Sequence, residues 1–252
     1  MQERFLLFGS HGLLGLKVKE HLEASGREVI RGDREGAVPV GVDVIINCAS
    51  YGNMYGQTDE KEIYRANVTL LKTALGGEWK QFVNISSSSV LLPKLTSYSQ
   101  VKKEGEEICQ KAGAISIRPS SITGPGEQKE HLIPKLIDSC LRGTEMPFVG
   151  EPTHDYIHVL DVVSAIGLLL VIPEARGKVF NVSSGVITTN EQVLDLVEEC
   201  TGAKANIKRV DSMRPYDTKD WKVDNSEMRA LGWQPTISLR ESIQQMVAEY
   251  DE

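Results

Sequence analysis

The chain has 252 residues, 40% hydrophobic and 25% charged, with a formal net charge of −7. This is ordinary globular usage and excludes a disordered, collagen-like or low-complexity chain. The acidic balance, without a basic block, argues against nucleic acid or an anionic membrane surface as a partner.

The predicted elements alternate in type from the start. Phe5-Leu6-Leu7-Phe8 is a short apolar run ending at Gly9, which suits a strand buried on both faces. It is too short for a signal-peptide core, so a cytoplasmic place is expected. Leu14, Val18 and Leu22 form a helical stripe that Gly26 closes. Glu28-Val29-Ile30 and the run 42–48 read as strands. Ile63, Asn67, Leu70, Leu71 and Ala74 return to helical spacing. A strand over 82–85, a polar helix over 98–111 and a strand over 115–117 follow. Such alternation implies an α/β fold, a doubly wound parallel sheet with helices on both faces.

From about Ser121 the texture changes. Residues 132–141 read as an amphipathic helix, and 146–148 and 155–159 as short strands. A buried helix over 161–172 takes Asp161 as its cap. Residues 179–182 form a strand, and Thr188 with Glu191 forms a capping box for a helix ending near Thr201. The reading is a Rossmann domain over 1–120 and a smaller lobe over 121–252, with segments around 155–185 returning to the main domain. The longest aliphatic run, Leu168 to Ile172, falls far short of the about 20 residues of a membrane helix. The four cysteines form no CxxC and suit reduced thiols, and with the five histidines they show no ligand spacing, so no metal is expected.

Gly9-Ser10-His11-Gly12-Leu13-Leu14-Gly15 lies between the first strand and the first helix. The first glycine permits a tight turn. The middle one lets backbone approach a pyrophosphate at the helix N-terminus, and the last allows close packing. Residues 9–14 are therefore the candidate dinucleotide loop. Asp33, just past the second strand, is placed to accept from an adenosine ribose, which favours NAD. Arg31, Arg34 and His11 could each pair a 2′-phosphate, so NADP stays open.

Tyr98-Ser99-Gln100-Val101-Lys102 puts a phenol and an ammonium on one helix face. The ammonium is expected to favour the phenolate and so make Tyr98 an acid/base for hydroxyl–carbonyl interconversion. Lys102 is also a candidate for holding the nicotinamide ribose. The serine run 86–89 follows a strand, at the carboxyl end where ligands bind in open α/β sheets. A hydroxyl of that run can reach the reacting oxygen, and Ser88 is a candidate substrate contact.

With these motifs the chain resembles the extended short-chain dehydrogenases/reductases of the NAD-dependent epimerase/dehydratase type. The likeness runs through the glycine loop, "DVIINCAS" (43–50), "ANV" (66–68), "ISSSSV" (85–90) and "YSQVK" (98–102). It continues through "IRPSSITGPGE" (117–127), "DYIHVLDVV" (155–163), "VFNVSSG" (179–185), "RPYD" (214–217) and "LGWQP" (231–235). The resemblance implies Ser87 as the catalytic hydroxyl, Tyr98 as the acid/base and Lys102 as its partner. It implies that Cys48, Ala49 and Ser50 line the cofactor, that Asn67 reaches it, and that Arg214 and Asp217 contact a nucleotide-activated sugar. Departures include the short stretch 36–42, only ten residues between Ser87 and Tyr98, Leu91-Leu92, Ser121 in place of a nucleotide-contacting Asn, and His154 in place of an Arg.

A sugar 4,6-dehydratase of this kind carries Asp-Glu where Ser88-Ser89 stand, and serines cannot do that work near neutral pH. A 3,5-epimerase/reductase needs a Cys–His pair. His131 matches its His, but Ser89 stands where its Cys would be, which leaves His131 as a substrate or surface residue. What remains is hydride transfer at one carbon, C4, by a ketoreductase or an epimerase. A catalytically weak NAD(P)-binding regulator on the same fold is the alternative, and the intact Ser–Tyr–Lys set argues against it. A homodimer is expected through the helices 63–75 and 98–111, with Ile63, Leu70, Leu71 and Ala74 at its centre. A monomer is the alternative, because Lys103, Glu104, Glu106 and Glu107 read as a solvated face.

Overall fold

A computed structural model describes residues 3–54, 56–211 and 221–250. Along the first half run β1 (Arg4–Phe8), α1 (Leu13–Ala24), β2 (Glu28–Arg31) and β3 (Val44–Asn47). Next come α2 (Glu60–Tyr64), a π turn (Arg65–Thr69), α3 (Leu70–Leu75), β4 (Gln81–Ile85), α4 (Ser97–Ala112) and β5 (Ile115–Pro119). The second half holds β6 (Ser121–Thr123), α5 (Leu132–Arg142), β7 (Met146–Phe148), β8 (Thr153–His158) and α6 (Val159–Leu170). It ends with β9 (Val179–Val182), β10 (Ile187–Thr189), α7 (Asn190–Thr201), β11 (Ile207–Arg209), α8 (Ser226–Ala230) and α9 (Leu239–Tyr250).

Six strands form one sheet in the order β2-β1-β3-β4-β5-β9, with every neighbouring pair parallel. Phe5, Leu6, Leu7 and Phe8 are all buried because helices cover both faces. The chain leaves β1 for β2 on one side and then crosses to β3 on the other. That reversal opens a crevice at the carboxyl ends of β1 and β3, where an open α/β sheet binds its ligand. β2 is the sheet edge. Gly32 closes it tightly: its amide donates to the Leu7 carbonyl, and a Cβ there would lie 2.2 Å from the Phe8 ring.

The segment around 155–185 divides as expected. β9 pairs with β5 in the main sheet, while β8 sits between β10 and β6 in a small sheet of the second lobe. α5, α7 and α9 pack around a separate core built on Ile133, Leu136, Ile137, Val193, Val197 and Ile243. Among the described residues, no helix is long and apolar enough to cross a membrane.

Three local expectations are corrected. His158, not Asp161, caps α6, with Nδ1 accepting from the Leu160 amide. Asp161 instead accepts from the Thr236 amide and hydroxyl and the Ile237 amide, at 2.9, 2.8 and 3.2 Å, and so ties the C-terminal segment to α6. The capping box of α7 is Thr189 with Gln192, because Thr188 is held in β10 opposite His154. The apolar stripe expected to build a dimer faces inward. Ile63 and Leu70 are each 4% exposed, and Leu71 and Ala74 are fully buried. The outer surface there carries Tyr64 and Lys72, both hydrogen-bonded to Glu104 of α4.

Candidate active site

The three glycines of the first loop answer to three different constraints. Gly9 has φ +71°, and a Cβ on it would sit 2.6 Å from the Ala49 amide nitrogen. A Cβ on Gly15 would lie 2.1 Å from the Gly9 carbonyl oxygen, so α1 can press against the loop only through a glycine. Gly12 is different. It caps α1 at φ −78°, and its Cβ would meet nothing closer than the Gly9 carbonyl at 3.6 Å. The fold does not require that glycine, so its small size leaves room for something outside the chain. The first amides of α1 have no intrahelical acceptor and point into that space, which fits a pyrophosphate. Ser10 is buried in the loop, His11 is exposed, and Leu13 and Leu14 begin the helix.

Asp33 stands just beyond the end of β2, as the ribose role requires, but one of its oxygens is already engaged. Oδ1 accepts from the amides of Glu35, Gly36 and Ala37 at 3.1, 2.8 and 3.1 Å. Oδ2 is the atom left to face a ribose. Arg34 contributes its carbonyl to Arg65, whose guanidinium also grips Glu62.

At the carboxyl ends of β3 and β4 the catalytic candidates converge. The Ser50 hydroxyl lies 3.4 Å from the Tyr98 hydroxyl, and the Ser87 hydroxyl also hydrogen-bonds that phenol. Ser87 in turn caps a short turn, its Oγ accepting from the Ser89 amide at 3.1 Å. Lys102 is 4% exposed; its Nζ lies 5.6 Å from the Tyr98 ring centre and donates to the Ile85 carbonyl at 2.9 Å. Burial pulls the Lys102 ammonium down to about 8. Burial also holds the Tyr98 phenol above its ordinary value, against the hydrogen bonds from Ser50 and Ser87. This corrects the expectation of a phenol lowered by its neighbouring ammonium: desolvation outweighs the pairing. Cys48 follows β3 beside Lys102, and burial pushes its thiol up to about 12, so it stays neutral.

Asn67 sits in the π turn, 3% exposed, with its amide nitrogen donating to the Tyr51 and Ile63 carbonyls at 2.7 and 2.8 Å. Its Oδ1 lies 3.4 Å from the Ser50 hydroxyl. Instead of reaching out, Asn67 pins the loop that carries Ala49, Ser50 and Tyr51. π turns in helices often mark functional sites.

The substrate side is less unified. Ser88 is 3% exposed, which leaves Ser87 as the more open hydroxyl of the pair. Ser121 begins β6 opposite Tyr156. His131 engages both ring nitrogens, Nδ1 with Glu127 at 3.0 Å and Nε2 with the Met54 sulfur at 3.1 Å. It therefore links the second lobe to the loop beyond β3. Arg214 and Asp217 lie outside the described residues. His154 stacks between Tyr156 and Trp221, with ring centres 5.7 and 5.2 Å away. Asp155 is buried and accepts from Ser120, from the Ser184 amide and hydroxyl and from the Gly185 amide, fixing the strand that leads to His158.

One group went unnoticed in the sequence. Glu106, read as part of a solvated face, is 4% exposed. Its Oε1 accepts from the Ser86 hydroxyl and from Arg118 Nε, and its Oε2 from Arg118 Nη2 at 2.6 Å. The signal was its spacing, four residues beyond Lys102 on one helix face.

Comparison with known proteins points the same way. A model of the NAD dependent epimerase/dehydratase family matches residues 5–183. The low-salt glycan biosynthesis protein Agl12 of Haloferax volcanii is 25% identical over 236 residues, covering 82% of this chain and 75% of that protein. RHM1 of Arabidopsis thaliana, a trifunctional UDP-glucose 4,6-dehydratase/UDP-4-keto-6-deoxy-D-glucose 3,5-epimerase/UDP-4-keto-L-rhamnose-reductase, is 26% identical over 247 residues. That match covers 83% of this chain and 36% of RHM1. Among solved structures, MoeE5 in complex with UDP-glucuronic acid and NAD superposes with a TM-score of 0.88 at 22% identity, covering 98% of this chain and 99% of that one. That likeness is one of fold.

Proposed function

The chain belongs to the NAD dependent epimerase/dehydratase family, and on that premise we propose that it transfers a hydride at one carbon, C4, of a nucleotide-activated sugar, as a 4-ketoreductase or a 4-epimerase. The observation that carries this reading is the meeting of Ser87, Tyr98 and Lys102 beside the Gly9–Gly12 loop. The dinucleotide, when bound, supplies the hydride acceptor or donor. Tyr98 takes the proton from the substrate hydroxyl at Oη on oxidation and returns it on reduction. Ser87 Oγ donates to the same reacting oxygen. Lys102, charged in the lower part of the neutral range, steadies negative charge on Tyr98 once substrate has displaced water. Ser88 and Ser89, with no acid or base, support simple hydride transfer over dehydration.

Gly9, Ser10, His11, Gly12, Leu13 and Leu14 would surround the pyrophosphate. Asp33 Oδ2 would take the ribose in NAD, and Arg34 would favour NADP instead. Ser121, His131, Arg214 and Asp217 belong to the sugar-nucleotide side. The cofactor falls to 1–120 together with the returning β9, and the substrate to the rest of 121–252. The charged outer face of α2, α3 and α4 supports a monomer over the expected dimer. The four free thiols suit a cytoplasmic location.

The test is a panel of UDP-, GDP- and dTDP-linked sugars and 4-keto sugars with NAD(H) and NADP(H), read by nicotinamide absorbance and by product analysis. Turnover at C4 supports the reading, and retention of NAD through purification favours the epimerase. Tight coenzyme binding with no turnover across the panel overturns it in favour of a cofactor-binding regulator.

A further inference from the structure

α4 grips the carboxyl end of β4 with two side chains one turn apart. Lys102 donates to the Ile85 carbonyl, and Glu106 accepts from the Ser86 hydroxyl. These contacts hold the two residues that immediately precede Ser87. Arg118 of β5 clamps Glu106 from below with two hydrogen bonds, at 2.8 and 2.6 Å. Glu106 thus has both oxygens satisfied and no freedom to rotate, although it touches neither the phenol nor the open crevice. A carboxylate this deeply buried is expensive unless paired and hydrogen-bonded, and here it is both.

We propose that Glu106 is a positioning residue: held by Arg118, it fixes Ser86 so that the Ser87 hydroxyl meets the Tyr98 phenol. The inference rests on the reading of Ser87 and Tyr98 as the catalytic pair. Ser86 and Arg118 serve as its two contacts, one toward the site and one away from it. The arrangement also bears on charge. The groups facing Lys102 are Cys48 beyond β3, and Tyr98, Glu106 and Cys109 on α4, and Glu106 is the carboxylate among them that sustains the ammonium.

Ser86→Ala tests the tether with little damage to the fold, because Glu106 Oε1 keeps Arg118 Nε as a donor. Two readouts are followed in the full chain. The first needs no substrate: the Tyr98 titration, from tyrosinate difference absorbance against Tyr98→Phe. Loosening Ser87 removes a hydrogen bond that favours the phenolate, so the midpoint rises. The second is kcat on the nucleotide sugar that the panel identifies, expected to fall by about tenfold or more with KM unchanged, since a small misplacement at a reacting centre is costly. Ser86→Thr, which keeps the hydroxyl, restores both. Glu106→Gln provides an independent check by ¹³C NMR of lysine Cε: the Lys102 midpoint falls below its starting value near 8. A Ser86→Ala protein whose Tyr98 titration and kcat match the wild type overturns the proposal, whatever its melting temperature. If the wild type turns over nothing in the panel, the functional reading fails, and the Tyr98 titration alone decides this one.

Discussion

Gly12→Val separates a glycine required by the fold from one required by a ligand. A Cβ at Gly12 meets the Gly9 carbonyl at 3.6 Å, ordinary van der Waals contact, and the backbone there is open to any residue. The folding penalty is that of a weaker helix cap, about 1 kcal/mol or less. At Gly15 a Cβ would lie 2.1 Å from backbone oxygen, so Gly15→Ala forces loop and helix apart. Overpacking of that kind costs about 1–3 kcal/mol or more. In a chain of this size that is roughly 2–4 °C of melting temperature per kcal/mol. The expected pattern is therefore crossed. Gly15→Ala melts several degrees lower. Gly12→Val melts close to the wild type yet loses NAD and NADP affinity by about a hundredfold, near 2.7 kcal/mol, because its side chain fills the space over the α1 amides. Calorimetric titration with each coenzyme, paired with thermal melting, reads both axes. A Gly12→Val protein that binds NAD within about threefold of the wild type, or that melts as low as Gly15→Ala, would refute the assignment of this loop.

Tyr98→Phe should lower kcat by about 10²–10⁴-fold, the scale of positioned proton transfer, while calorimetry finds coenzyme binding nearly intact. Leu71→Glu should not dissociate a dimer but destabilise the monomer, since Leu71 is fully buried against Phe82 and Leu6; chemical denaturation together with light scattering distinguishes the two outcomes. Lys102 makes stability depend on pH. Its folded value near 8 lies below the ordinary value of 10.5, so between them the unfolded chain binds more protons and wild-type stability rises with pH. The penalty for burying the charged form is fully present below about pH 8. Relative to Lys102→Met, the wild type should therefore gain about 2–3 kcal/mol between pH 8 and 10 in urea unfolding.

Much of the sheet was legible because buried parallel strands write themselves as short aliphatic runs. Phe5 to Phe8 and Val44 to Ile46 are such runs. Tyr98 and Lys102 were legible because helical spacing fixes which side chains share a face. The same periodicity could not say what that face meets. Ile63, Leu70, Leu71 and Ala74 make the pattern of an interface, but the chain's own strands cover them. Glu106 makes the pattern of a solvated charge, but Arg118, twelve residues away on β5, draws it inside. The roles of Asp161 and Asn67 depend on partners far along the chain or on a π turn, and local sequence carries neither. Asp33 was found at the right place, but its three amide contacts arise from a turn whose geometry propensities do not specify.

The pairing of β5 with β9 has a consequence for the order in which the protein can be made. β5 ends at Pro119, and its outer neighbour is complete only at Val182. At about 5–20 residues per second, a ribosome needs roughly 3–13 s to cover that gap. During that time the first five strands can assemble, with Tyr98 and Lys102 already in place, while β5 exposes a bare apolar edge with its backbone groups unpaired. Such an edge is a template for pairing with another chain. The vulnerable species in the life of this protein is therefore the nascent chain of between about 120 and 182 residues, and slow translation or truncation within that window should send it into aggregates rather than into the native fold.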